Sequence, residues 1–192
     1  TLMAIPVSEL QKINPSSVIE LFTLTLDSTL HGASTVYRFH NGANMNANGE
    51  VVWDGNSYQR FPIECEGFSY SGKGTLPRPT IRISNILGTI TSYISTVNAT
   101  TAGNDLNGAK LTRIRTLARY IDAANFSGGT NPYGTPDASA AFPEEIYFLD
   151  RKTTENRDIV EWECCAAFDL VNVRVPLRQV TRTDFPGVGT FI

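Results

Sequence analysis

Asn48-Gly49-Glu50-Val51-Val52-Trp53-Asp54-Gly55-Asn56-Ser57-Tyr58-Gln59-Arg60-Phe61 is the stretch whose reading decides the fold class. Glu50 to Trp53 and Tyr58 to Phe61 are rich in β-branched and aromatic residues, and Asp54-Gly55 lies between them. The turn that matches strand twist needs positive φ at its centre, which Asp and Gly tolerate, so the stretch predicts a β-hairpin. Just upstream, Val36 to His40 reads as a strand and Asn41 to Gly49 as a polar tip, from which Glu50 to Trp53 pairs back.

Toward the N-terminus, Phe22, Leu24 and Leu26 alternate with Thr23, Thr25 and Asp27, the period of a half-buried strand. Ser8 to Asn14 predicts a short helix that Pro15 stops, and His31 to Ser34 a loop. Toward the C-terminus, Ile63 to Tyr70 is a strand closed by Ser71-Gly72-Lys73-Gly74. Pro77 and Pro79 cannot donate to a central ladder, so they mark a linker into a strand over Thr80 to Ile83. Ser84-Asn85 caps a helix over Ile86 to Val97, with Ile86, Ile90, Tyr93, Ile94 and Val97 on one side. Gly88 and the β-branched residues weigh against that helix.

Lys110 to Ile121 predicts a long strand. Ile114, Thr116, Ala118 and Tyr120 share one face; Arg113, Arg115, Leu117 and Arg119 share the other. Ser127 to Pro143, rich in Gly, Pro, Ala and Ser, predicts a mobile surface loop, and Ile146 to Leu149 a short strand. Asp158 to Leu170 carries the cleanest alternation: Val160, Trp162, Cys164, Ala166, Phe168 and Leu170 inward, Glu161, Glu163 and Asp169 outward. Val173 to Pro176 follows as an edge segment. The sum is a mainly β protein with a minor α part: antiparallel sheets or a β-barrel-like arrangement, with one or two short helices. One β-rich domain over 1–192 is expected, two packed β subunits being the alternative.

Hydrophobic residues make up 41% of the 192 and charged residues 18%, which argues for a packed core and against disorder. A net charge of −3 gives no global basic field, so nucleic acid is not expected as a partner. No apolar run approaches the ~20 residues that span a bilayer, and Thr1 to Leu10 lacks the charged and apolar parts of a secretory signal. Cys65, Cys164 and Cys165 are an odd count with one adjacent pair, a poor disulfide framework, and reduced cytosolic folding is expected. Adjacent strand residues face opposite ways, so Cys164 and Cys165 do not converge on one ion.

Gly67-Phe68-Ser69-Tyr70-Ser71-Gly72-Lys73 matches the first seven positions of a phosphate-binding P-loop. That chemistry needs Ser or Thr next, for Mg²⁺, and then a helix. Gly74, Pro77 and Pro79 stand there instead, so a basic β-turn is the reading. Asn44 to Gly49 resembles the opening of a calcium loop, but its first positions lack carboxylates and Gly55 stands at the twelfth, so it reads as a hairpin tip. His31 and His40 are the only histidines. With no Gly-x-Ser-x-Gly elbow and no paired metal-ligand spacing, surface or turn roles are expected for both, and no catalytic or metal site. Asn98-Ala99-Thr100 and Asn125-Phe126-Ser127 are coincidental sequons without a secretory signal.

Arg113, Arg115 and Arg119 are the main charge feature. Cross-strand pairing with Glu161, Glu163 or Asp169 is the bland account and the favoured one; a basic stripe facing another subunit or a lumen is the functional account. With Lys73 and Arg78 these arginines make up the candidate subunit contacts. A sugar platform of Trp53, Tyr58 and Tyr70 is the alternative binding reading, and a hydrolase using His31 or His40 ranks below it.

Several stretches, in order and at similar spacing, carry a family resemblance. They are Tyr37 to Phe39, Asn48 to Ile63, Gly67-Phe68, Gly72-Lys73-Gly74-Thr75, Arg78-Pro79-Thr80, Ser84-Asn85-Ile86, Ala118 to Phe126, and Phe185-Pro186-Gly187. Together they resemble the phage minor tail protein L family. The resemblance implies a non-enzymatic structural role in the virion of a long-tailed bacteriophage, reached by assembly in the host cytoplasm. It implies a baseplate hub at the tail tip, a homotrimeric ring. Its neighbours would be the tail tube, the distal tail protein, the central fibre or host-specificity protein, and the tape measure region. The family's iron–sulfur cluster, on four cysteines, would follow Phe185-Pro186-Gly187. Cys65, Cys164 and Cys165 do not match its ligand positions, so no cofactor is expected within these 192 residues, as in a shortened form or a relative without that module.

Overall fold

The computed structural model describes residues 4–42, 46–70, 72, 76–167 and 180–189. Among them nine strands form one sheet. These are β1 (Val18–Thr25), β2 (Val36–His40), β3 (Glu50–Trp53), β4 (Asn56–Arg60), β5 (Ile63–Glu66), β6 (Thr80–Ser84), β7 (Lys110–Leu117), β8 (Glu145–Glu155) and β9 (Ile159–Cys165). Their order is β3-β4-β2-β1-β7-β8-β9-β6-β5. Three α-helices accompany them: α1 (Val7–Leu10), α2 (Ser28–His31) and α3 (Thr89–Thr100).

The protein is mainly β, and the Asp-Gly hairpin is present, with Trp53 opposite Asn56 and both Asp54 (φ 50°) and Gly55 (φ 70°) left-handed. It is β4, however, and not β3, that lies against β2, and in parallel, with Phe39 opposite Gln59. The sheet is therefore mixed. It also stays open instead of closing into a barrel, because no ladder joins β3 to β5 among the described residues.

Each face of the sheet buries a core. On one face Phe22, Leu24, Ile81, Leu111, Leu149 and Trp162 pack beneath Ile90, Ile94 and Val97 of α3. On the other, Leu21 and Ile114 of the central strands meet Val51, Trp53 and Tyr58 of the hairpin and Ile121 and Ala141. That second core corrects the mobile loop expected over Ser127 to Pro143. Phe142 N–H donates to Arg115 O (2.8 Å), and Asn131 Nδ2 donates to Arg119 O (2.8 Å) and Ile121 O (3.1 Å). Ala140 and Ala141 are buried, as small side chains let this segment lie close on the sheet.

Several element bounds differ from expectation for local reasons. α3 starts at Thr89 and not Ile86, since Gly88 is left-handed (φ 68°), which leaves Ile86 exposed. Asn85 still serves the helix: its Oδ1 accepts Thr91 N–H (3.2 Å) and its Nδ2 donates to Thr91 Oγ1 (2.8 Å). The first helix is only Val7–Leu10, β5 ends at Glu66, and β7 ends at Leu117, where Ala118 to Tyr120 turn. β8 runs to Glu155, well past Leu149, with irregular register where it pairs β9. Phe168, Asp169, Leu170 and the segment Val173 to Pro176 lie outside the described residues.

Candidate subunit-contact face

β7 lies between β1 and β8, so Arg115 sits opposite Glu20, and Arg113 opposite Glu145. The Arg113 guanidinium donates to Glu145 (2.8 Å) and to Glu20, and stacks 4.2 Å over the Phe68 ring. Burial disfavours its charge, but Glu20 and then Glu145 more than offset this and hold its pKa above the ordinary arginine value. Arg115 donates to Glu145 (3.0 Å) and lies 5.2 Å from the Phe142 ring centre. Arg119, beyond the strand end, reaches Glu9 (3.3 Å), which Lys12 also pairs. Arg78 pairs Asp150 (2.5 Å) and Glu163 (3.4 Å).

The arginines of β7 are thus ion-paired, but not with the acids expected. β8 separates β7 from β9, so Glu161 and Glu163 lie too far across the sheet. Those acids serve Arg82 (2.9 Å to Glu161) and, for Glu163, Arg78 and Arg151. Asp169 lies outside the described residues, as does Lys73. The structure brings Arg113 and Arg115 together and leaves Arg119 and Arg78 apart from them. Side-chain exposure rises from 12% at Arg113 through 32% at Arg115 and 37% at Arg119 to 45% at Arg78, so the last three present charge at the surface.

Both histidines are buried, which corrects the surface role expected of them. His31 Nδ1 accepts Asp27 N–H (2.9 Å), and Nε2 lies 3.1 Å from Asn107 O. His40 Nδ1 accepts Gly42 N–H (3.2 Å), and Nε2 lies 3.2 Å from Gly49 O. A ring nitrogen facing a carbonyl must carry the proton and one facing an N–H must not, so each imidazole is neutral with both nitrogens engaged. Neither is free to act as a base toward a substrate. Burial also holds the His40 pKa below its ordinary value.

The sugar platform does not form. Trp53 and Tyr58 are buried in the second core, whereas Tyr70 is exposed. The P-loop match has no helix to present to a phosphate: the described residues 76–79 are irregular and lead into β6. Ser71, Lys73 and Gly74, like Asn44 and Met45 of the calcium-loop match, lie outside the described residues. Nor do the cysteines fit a four-thiolate cluster. They are three where such a cluster takes four, and burial pushes the Cys65 thiol up to about 12 and the Cys164 thiol up as well. No three His, Cys, Asp or Glu residues among those described are placed to hold a metal ion.

Asn125, whose sequon pattern carries no such signal, caps a strand edge. Its Oδ1 accepts Val52 N–H (2.7 Å) and its Nδ2 donates to Val52 O (2.7 Å), so it closes the outer edge of β3. The two residues are 73 positions apart, and no local pattern announces the contact.

The profile of the family described as phage minor tail protein L matches residues 29–186. Over 149 residues the chain is 33% identical to Tail tip protein L of Escherichia phage lambda, a match covering 74% of this chain and 53% of that relative. The chain spans about half the length of the curated relative it matches.

Proposed function

The chain belongs to the phage minor tail protein L family, and from that membership we propose that it is a structural, non-enzymatic component of the tail tip of a long-tailed bacteriophage. In this reading it forms a homotrimeric baseplate hub ring. The ring joins the tail tube and the distal tail protein, near the tape measure region, to the central fibre or host-specificity protein. It assembles in the host cytoplasm and stays in the virion, and this portion acts without a cofactor, nucleic acid or membrane insertion.

The family match over 29–186 carries the proposal. The site chemistry supports it, since the two histidines are consumed as internal staples. A closed ring uses two different patches on each subunit. Arg78, Arg115 and Arg119 are the candidate contact residues the structure leaves accessible, whereas Arg113 is committed to internal pairing. Chemical cross-linking and mass spectrometry of purified virions test the reading. Cross-links from this chain to the distal tail protein and to the central fibre protein are expected. A chain absent from virions, or linked only to head proteins, contradicts it.

A further inference from the structure

The two edges of the sheet are treated differently. On β3, the outward backbone groups are taken by side chains: Glu50 N–H by Asn46 Oδ1 (2.8 Å), Val52 N–H by Asn125 Oδ1, and Val52 O by Asn125 Nδ2. Among the described residues nothing comparable covers β5. Ser84 N–H donates to Pro62 O (2.9 Å), and Ile63 stands opposite Ile83. Hydrogen-bonded and non-bonded pairs alternate in an antiparallel ladder, so Glu64 and Glu66 turn their backbone groups toward β6, and Ile63 and Cys65 turn theirs away. The β6–β9 ladder agrees, since Cys164 N–H donates to Pro79 O (2.8 Å), which sets Ile81 and Ile83 toward β9. The outward N–H and C=O of Ile63 and Cys65 have no partner among the described residues. They are two residues apart, one repeat of a further ladder.

The surroundings suit an extended occupant. Depressions of about 340 and 290 Å³ lie over the sheet face beside this edge and share Glu64 and Arg82 in their walls. One runs on to Pro62 and Ile159, the other to Glu66, Gly67 and Glu161. The charge there is acidic: two carboxylates, Glu64 and Glu161, share the one guanidinium of Arg82, and Glu66 has no ion pair among the described residues. We propose that the outer edge of β5 is a strand-addition site for a different protein chain, one that presents an extended segment with Lys or Arg at alternate positions. Neither described edge of a second copy fits, since pairing β5 with β5 sets Glu64 and Glu66 against their own kind, and the β3 edge is closed. Backbone pairing supplies the affinity, and Glu64 and Glu66, two residues apart on one face of the edge strand, select the basic side chains. The site does not depend on the ring.

A fluorescein-labelled alternating Lys-Val peptide, added to the purified full chain and followed by anisotropy, tests this. Binding is expected, with none for a Glu-Val peptide. A Lys-Val peptide N-methylated at alternate residues keeps the charge but loses its ladder donors, and should bind at least about tenfold more weakly. Ile63 and Cys65 amides should exchange quickly in the free chain and be protected by the parent peptide. No binding of the parent peptide, equal binding of the methylated one, or unchanged exchange at both amides would each overturn the proposal.

Discussion

Trp162 is 1% exposed, and its indole Nε1 donates to Asp105 O (3.0 Å), so the side chain combines a large apolar payload with a satisfied polar tip. Trp162→Ala should cost about 3–5 kcal/mol, read from urea unfolding, and near-neutral behaviour would contradict its place in the core. This position was legible because alternation from Val160 onward points it inward regardless of what it meets. His31 and His40 were not, because His31 finds its carbonyl partner 76 residues away. The buried neutral His40 gives a pH dependence. In the unfolded chain it takes a proton near pH ~6.5, while burial lowers its folded pKa. Its contribution is therefore complete above that value and declines as pH falls through it. Stability measured against pH should fall below about 6.5, and His40→Gln should flatten that slope.

Arg113 and Arg115 share one acid but not one environment. Glu145, 14% exposed, is bound by both, while Arg113 is also held by Glu20 and covered by Phe68. Arg115→Ala should cost about 1 kcal/mol or less, as for other partly exposed pairs. Arg113→Ala should cost clearly more, because it removes the shared centre of the network. Equal losses in thermal melts of the two variants would contradict this ranking.

Among the elements, the β3–β4 hairpin and β9 were legible because a turn signal or a strict period marks each of them locally. The outer half of β8 was not. Asp150 to Glu155 is polar at every position, so no alternation separates its faces, and only pairing with β9 makes it a strand. The insertion after Tyr120 was misread for a related reason. Gly, Ala and Ser mark loops by composition, yet here small side chains allow close packing on the second core. Asn125 then completes the element beside it. Asn125→Ala leaves the Val52 N–H and C=O without that amide and should cost about 1–3 kcal/mol. It also exposes a pairing edge, so size-exclusion chromatography of the variant should show concentration-dependent association beyond that of the parent chain. A variant as stable as the parent and no more associated would contradict the role given to Asn125.

For the whole molecule, one mixed, open sheet carries a full core under α3, a second core over its β3 half, and paired charges over its β5 half. The mainly β class followed from the sequence, but the strand order did not, since nothing local sets β4 in parallel against β2. The pairing expected of the arginines with Glu161 or Glu163 does not form because β8 lies between β7 and β9, and Arg119 falls past a strand end. The molecule's described surface carries a sealed edge at β3, an acidic edge at β5 and scattered, partly exposed arginines. An electron-microscopy map of intact tail tips tests the proposed hub role most directly. The account predicts three copies of this nine-stranded sheet in a ring between tail tube and central fibre; a map of the complete tip without density for this fold would contradict it.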